Sequence, residues 1–383
     1  MIALRARRVL AGGEERHCWW VTIDRGEIIE IGPNPPASAL ACELGDVDLI
    51  PGLVDLHSDC LEQKAHPRPT TDLPLEAALL DLDAELVAHG ITSHFLCVCL
   101  EDDAVKYRSM DRGREIVHHV ARLRPTLRAD HFVHLRVDVT GSSHTVAREL
   151  SDSGMVGLLS YMDHTPGQGQ YSDEADWRKY YTSVVGLGDD ELDARLAMKR
   201  AGQSQADEAR AEVARIARWL GASLASHDDD SPAAVRRAVR LGASISEFPV
   251  NLEAALTAQA AGLDVVMGAP NARRGRSHLA NLSAREALEA GCLDALASDY
   301  HPPSLLAAAY LLADDKSCSW GEALSLVTAN PARAAMLNDR GRIEPGLRAD
   351  LVAVARRGDC PVVVQTWVGG QAMLGVQLSA RAA

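Results

Sequence analysis

Short apolar runs that stop at polar residues recur through the middle of this chain. They are "LIPGLVDLH" (49–57), "ITSHFLCVCL" (91–100), "HFVHLRVDV" (131–139), "VGLLSYMDH" (156–164), "ASLASHD" (222–228), "SISEFP" (244–249), "DVVMGAP" (264–270) and "LDALASDY" (293–300). Their length and nearly continuous apolar character fit strands buried on both faces. Between them the period changes. Leu75, Leu79, Leu82 and Leu86 recur at helical spacing and stop at Gly90. Ser231-Pro232 opens a segment that closes at Gly242, and Ser283 with Glu286 forms a capping-box pattern ahead of another. Alternating strands and helices predict a parallel sheet, and eight such strands predict a (β/α)8 TIM-type barrel over residues 51–340.

The flanks read differently. "HCWWVTIDRGEIIEIGP" (17–33), broken at Asp24–Gly26, and "GRIEPGLRADLVAVARRGDCPVVVQTWVGGQAML" (341–374) are short β-rich runs punctuated by glycine. They predict that residues 1–50 and 341–383 together build a small β-sandwich domain. With 383 residues, 47% of them hydrophobic, the chain has ample material for a large core. Its 53 acids against 39 bases leave a net charge of −14, so no basic excess exists to meet nucleic-acid phosphates. An anionic substrate would need metal ions or a local basic cluster. The eight cysteines are scattered, with Cys97 and Cys99 inside an apolar run, and read as reduced core residues. "MIALRARRVLAGGEERH" lacks the apolar stretch of a signal peptide, and no run reaches the roughly 18 apolar residues of a membrane span. The expectation is a cytoplasmic protein without a membrane partner.

Candidate chemistry sits where the strands end. His57 and Asp59 follow the first, Asp138 the third, His164 the fourth, His227 the fifth, Glu247 the sixth and Asp299 the eighth. Strand alternation puts His57 and Asp59 on one side. In a barrel the C-terminal strand ends converge on one face, where active sites form. Carboxylates desolvated together need compensating cations. Two divalent metal ions would offset Asp59, Asp138 and Asp299 together with a bridging hydroxide, and would lower the pKa of bound water. The expected ligands are His57, Asp59, Asp138, His164, His227 and Asp299. Imidazole with carboxylate suits zinc, manganese, iron or nickel and does not choose among them, and zinc is the first expectation. Glu247 fits a substrate anchor or a hydrogen-bond partner to a ligand. His66, His89, His94, His118, His119 and His144 read as structural, and His131 and His134 fit either role.

"PGLVDLH", the later strand-end His, a terminal "SD" and "GRIEPGLRADLVAV" resemble the amidohydrolase superfamily, although that superfamily usually has H-x-H where this chain has H-x-D. "DLHSDCLE", "PRP", "HLRVD", "MDHTPGQGQY", "LASHDD", "SEFP", "MGAPNARRGRSH" and "SDYHPPSLL" resemble one branch, the phosphonate-metabolism PhnM family of alpha-D-ribose 1-methylphosphonate 5-triphosphate diphosphatases. The resemblance runs from about residue 50 to the C-terminus. It implies hydrolysis of a small phosphorylated sugar to its 5-phosphate and pyrophosphate, ahead of carbon–phosphorus lyase. It also implies Asp299 as the base for the attacking water. Phosphate donors implied around such a site are Lys64, Arg68, Arg136, Gln168, Asn271, Arg273, Arg274, Arg276, His278 and His301, with Glu247 on the substrate side. "RGRSHLAN" departs from the family pattern at Arg276 and Leu279-Ala280, and His301 stands where an aromatic is usual. A rival activity on the same fold is cleavage of a C–N bond: amide, lactam or aminopurine deamination. A rival of another class is a non-catalytic subunit of a phosphonate-processing assembly. A homo-oligomer is expected, a dimer being one option.

Overall fold

In a computed structural model describing residues 1–68, 70–103, 106–171, 173–275 and 281–374, the first 51 residues form seven short strands. These are β1 (Ile2–Arg5), β2 (Arg8–Ala11), β3 (Glu14–His17), β4 (Trp20–Asp24), β5 (Glu27–Gly32), β6 (Leu40–Glu43) and β7 (Asp48–Pro51). Eight more follow: β8 (Leu53–Ser58), β9 (Ile91–Leu100), β10 (Asp130–Asp138), β11 (Val156–Met162), β12 (Ser223–His227), β13 (Ile245–Glu247), β14 (Asp264–Gly268) and β15 (Ala295–Ala297). The chain closes with β16 (Leu351–Arg357), β17 (Cys360–Val368) and β18 (Gln371–Leu374).

β8 to β15 make one parallel sheet in sequence order. The sheet closes on itself at the chemically interesting end. Asp59 N donates to the Asp299 carbonyl at 2.8 Å, and Asp299 N donates to the His57 carbonyl at 2.9 Å. All eight predicted strands are present, and the architecture is the expected barrel. One run divides, however. "LIPGLVDLH" supplies β7 to a flanking sheet and β8 to the barrel. The break falls at Gly52, where an added Cβ would lie 2.1 Å from Thr92 Oγ1 of β9. Only glycine leaves room there for the Thr92 side chain. The helix Leu75–Ala88 buries Leu75, Leu79, Leu82 and Leu86, as its spacing requires. The Ser231 hydroxyl accepts from Ala234 N, Gly242 closes that helix at φ 90°, and the Ser283–Glu286 capping box is formed.

The flanking strands form two sheets, in the orders β5-β4-β1-β6 and β18-β17-β16-β7-β2-β3. The second draws on both ends of the chain, because β7 pairs antiparallel with β16 and parallel with β2. Val9, Val21, Ile28, Leu49, Ile343, Leu351 and Trp367 share a core there. Inside the barrel, Leu56, Phe95, Leu158, Ile245 and Val266 fill the space below the strand ends. A segment after β11 was not foreseen. Its helices Glu174–Tyr180 and Asp189–Gly202 enclose a small core of Tyr171, Trp177, Tyr181, Leu192 and Leu196. Ion pairs tie it to the ends of β9 and β10: Lys199 to Glu101 and Asp138, and Arg195 to Asp103. Among the described residues no helix is long and apolar enough to cross a membrane.

Candidate active site

Glu247, at the end of β13, organises the barrel mouth. It is fully enclosed, at 1% exposure. Its Oε1 lies 2.7 Å from His57 Nδ1 and its Oε2 lies 2.7 Å from His227 Nδ1. A carboxylate accepts only, so each Nδ1 carries the donated proton and each Nε2 faces the site. The two rings stack 5.7 Å apart. β8 shifts register against β9 between Asp55 and Ser58, an irregularity of the kind that re-aims side chains at barrel rims. Asp228, Phe248 and Asp299, which follow β12, β13 and β15, take left-handed backbone at φ 56°, 56° and 58°. Such strain in residues with a Cβ costs about 1–3 kcal/mol each and gathers at functional sites.

Among the described residues four groups of potential ligand atoms lie within 4.8 Å of one another, and two of them consist wholly of cavity-lining residues: His57, Asp59 and Asp299, and His164, His227 and Asp228. Asp228 Oδ2 is buried without a hydrogen-bond partner, 3.6 Å from His227 Nε2 and 4.0 Å from His164 Nε2. An orphaned carboxylate oxygen between imidazole nitrogens is the donor chemistry of a divalent cation site. The local field agrees. Burial opposes charge on His57, yet Cys97 and Glu247 carry its pKa well above the ordinary value. Burial pushes the Asp299 carboxyl up to about 6. Asp59 goes the other way: burial would raise it, but Arg136, His57 and Arg108 hold it well below the usual carboxylate range.

A cavity of about 530 Å³ opens above these groups, a size that suits a small metabolite. Its floor is His57, Asp59, His164, His227, Asp228 and Asp299, and its apolar wall includes Phe248, Pro249, Val250, Met267 and Leu282. Lys106, Arg108, Arg136 and Arg274 supply cations to the lining. Lys106 Nζ sits 5.9 Å from the ring centres of both Tyr180 and Tyr181. Neither Lys106 nor Arg274 has a carboxylate partner among the described residues. Arg108 is committed to Glu62 through bonds of 2.7 and 2.8 Å.

Of the residues expected from sequence, His57, Asp59, His164, His227, Asp299, Arg136, Asn271 and Arg274 line this cavity, and Glu247 lies beneath it. Asp138 does not join them. Its Oδ2 accepts from Lys199 Nζ at 2.6 Å and its Oδ1 from Thr140, so the expected ligand is consumed as an anchor. Lys64 turns to Glu85 at 2.5 Å, Arg68 to Thr71, and Arg273 and His301 to Ser304. Gln168 lines a neighbouring cavity, while Gln170 lines this one. Arg276 and His278 lie outside the described residues. His131 bonds Asp83, and His134 bonds the Leu56 carbonyl and Ser160, so both are structural. Asp228, Lys106, Arg108 and Glu101 were missed. Asp228 could have been suspected from "SHDDD", but alternation after His227 points it away from the site, and only its left-handed φ brings it in.

Comparison with known proteins agrees with this construction. The amidohydrolase family profile matches residues 75–373. The alpha-D-ribose 1-methylphosphonate 5-triphosphate diphosphatase of Escherichia coli (strain K12) is 38% identical over 334 residues, which cover 84% of this chain and 87% of that one. Among solved structures, N-acetyl-D-glucosamine-6-phosphate deacetylase from Mycobacterium smegmatis superposes with a TM-score of 0.63 at 18% identity, covering 98% of this chain and 100% of that one. N-isopropylammelide isopropylaminohydrolase from Burkholderia multivorans gives 0.66 at 19% identity, covering 98% and 99%. At that identity the structures speak for the fold alone. The matched profile, the matched relative and the closed barrel with its strand-end imidazoles and carboxylates have one reading: this chain belongs to the amidohydrolase family.

Proposed function

We propose that this chain hydrolyses alpha-D-ribose 1-methylphosphonate 5-triphosphate to its 5-phosphate and pyrophosphate. The observation that carries the reading is the 38% identity, across 84% of the chain, to the relative named for that substrate. The site supports it. A triphosphate ester needs its charge neutralised and a water aligned with phosphorus. His57, Asp59, Asp299, His164, His227 and Asp228 would hold divalent metal, zinc foremost, with manganese, iron or nickel fitting the same donors. Bound there, such an ion lowers the pKa of water and offsets phosphate charge.

The chain's own residues do the rest. Asp299 faces the cavity floor without a side-chain hydrogen bond among the described residues, and it takes the proton of the attacking water. Glu247 orients His57 and His227 through its two oxygens. Lys106 and Arg274 offer cations to the phosphate chain, and the wall around Phe248 and Leu282 gives the sugar an apolar side. We place the sandwich in residues 1–50 with 341–383, of which 375–383 lie outside the described residues, and the catalytic barrel in 51–340, a division supported by the pairing of β7 with β16.

Phosphorus NMR tests the assignment. The ribosyl methylphosphonate triphosphate, nucleoside triphosphates and a panel of amides and lactams are incubated with metal-loaded protein. Pyrophosphate release from the first alone is expected. An inert ribosyl triphosphate beside a hydrolysed amide overturns the reading.

A further inference from the structure

The two sides of the cavity differ in chemistry. Lys106 follows β9, and Arg274 ends the helix that follows β14. In the closed ring β8 and β15 separate those strands one way and β10 to β13 the other, so the two cations rise from separate parts of the rim. Lys106 leans over the arc of β9 to β11. Its Nζ lies 5.9 Å from the ring centres of Tyr180 and Tyr181, which belong to the segment after β11. Two aromatic rings at that distance attract an ammonium and fix where it sits. The lining on this side is otherwise polar, with Glu62, Gln63, Arg108, Gln170 and Tyr180. On the side of Arg274 it is apolar: Phe248, Pro249 and Val250 follow β13, Met267 lies in β14, and Leu282 follows the Arg274 helix.

Of the Lys and Arg side chains in the lining, two are committed to carboxylates. Arg136 donates to both oxygens of Asp59, and Arg108 to both of Glu62. Glu101, whose field reaches Lys106, accepts from Lys199 at 3.0 Å. Lys106 and Arg274 are left, one on each side, with His57, His227 and Asp299 on the floor between them. The proposed substrate is unlike at its two ends in the same sense. The pyrophosphate it releases has no carbon, so an apolar wall gains nothing from it, whereas the ribose carries C–H surface. A compact, hydrated ammonium suits a polyphosphate that must dissociate, and a guanidinium fork suits the phosphate that stays on the sugar. Barrel loops after the seventh strand, where Arg274 lies, often bind phosphate. We infer that the substrate crosses the floor in one direction: Lys106 holds the two phosphates released as pyrophosphate, and Arg274 holds the 5-phosphate that stays with the ribose against the wall of Phe248 and Leu282. This orientation rests on the proposed function and adds the residue that reads each end.

Binding of the two products, measured separately, tests it. Metal-loaded protein freed of unbound ion is titrated calorimetrically with pyrophosphate and with alpha-D-ribose 1-methylphosphonate 5-phosphate. Where a product binds too weakly for calorimetry, its inhibition of turnover is read instead. Lys106→Met is expected to weaken pyrophosphate about 10- to 100-fold, as loss of a charge-assisted contact does, and to leave the sugar phosphate within about twofold. Arg274→Met is expected to do the reverse. Lys106→Arg keeps the charge and should hold most of the pyrophosphate affinity, which separates lost charge from a disturbed loop. The opposite pattern overturns the orientation, as do equal losses of both products or no loss with either variant. Triphosphate hydrolysis with any of those patterns strikes the orientation alone. A wild-type protein that binds neither product and leaves the triphosphate intact strikes the proposed function and the orientation with it.

Discussion

Replacing Glu247 with Gln should weaken metal binding while leaving the barrel folded. The carboxylate accepts from His57 Nδ1 and from His227 Nδ1, both at 2.7 Å, in a site with 1% exposure. Gln keeps the shape but removes the charge and turns one acceptor into an N–H donor. Only one imidazole keeps its acceptor. The other must move its ring proton to Nε2, toward the site. For His227 that proton would meet Arg136 NH2, now 2.9 Å away. Loss of such an orienting partner typically costs about 10- to 100-fold in metal affinity, or roughly 1.4 to 2.8 kcal/mol. The two lost charge-assisted bonds act on folding as well, at about 1.5–3 kcal/mol each before relaxation. Competition against a chromophoric chelator measures the first quantity and urea unfolding the second. Turnover that recovers at saturating metal marks Glu247 as a positioning residue. A Glu247→Gln protein with wild-type metal affinity refutes the argument.

Lys199→Met should cost about 3–5 kcal/mol in urea unfolding, because it strands Glu101 and Asp138, whose side chains are 5% and 7% exposed; a loss below about 1 kcal/mol would show the trio to be solvated. Burial, reinforced by His131, holds the His94 imidazole well below its ordinary pKa. The unfolded chain therefore binds the extra proton first, and His94 contributes stability above pH ~6.5 that is lost at about 1.4 kcal/mol per unit as pH falls below it. His94→Gln should flatten the stability profile between pH ~6.5 and 5 by that slope, and an unchanged slope would place the acid sensitivity elsewhere. Asp299→Asn should lower kcat by about 10²- to 10⁴-fold. Its urea midpoint should hold or rise, since burial already disfavours that carboxylate, raising it to about 6; near-normal turnover would remove Asp299 from the base role.

Much of the barrel was legible because strand length, apolar continuity and helix caps are local. "ITSHFLCVCL" is β9 to the residue, and Ser231, Gly242 and the Ser283–Glu286 box fall where their backbone chemistry demands. The site was legible only as far as pleat alternation reaches. His227 and Glu247 sit within their strands and point as the pleat dictates, while His57 lies in β8 at its register shift. Beyond a strand end the rule lapses. Asp138 and Asp228 look alike in sequence, each an acid closing an apolar run. Asp138 is claimed by Lys199, 61 residues away on a segment whose placement no periodicity encodes. Asp228 enters through a left-handed turn that any non-glycine residue adopts at a cost. The basic loop misled for a related reason: in "NARRGR", Arg273 turns to Ser304 and Arg274 to the cavity, a choice set by helix Ala269–Arg274 and not by composition.

Asp59 was expected as a metal ligand, and in the structure both of its carboxylate oxygens accept from Arg136. The "HLRVD" strand carried a correction that could have been seen earlier. His134, Arg136 and Asp138 share parity, so whichever face takes His134 takes Arg136, and an arginine on the inward face of a barrel strand is buried. A buried guanidinium must be met by a carboxylate within reach. Asp59 supplies both of its oxygens, and burial of the pair is nearly complete on the arginine side. "HSD" and "HLR" therefore form one electrostatic unit built from β8 and β10, and the aspartate at position 59 reads first as the counter-ion of Arg136. On that basis Asp59→His without a change at Arg136 should destabilise the barrel, whereas Asp59→His with Arg136→Leu should restore folding. A double-mutant cycle in urea in which the two changes simply add would show that the pair is not a unit.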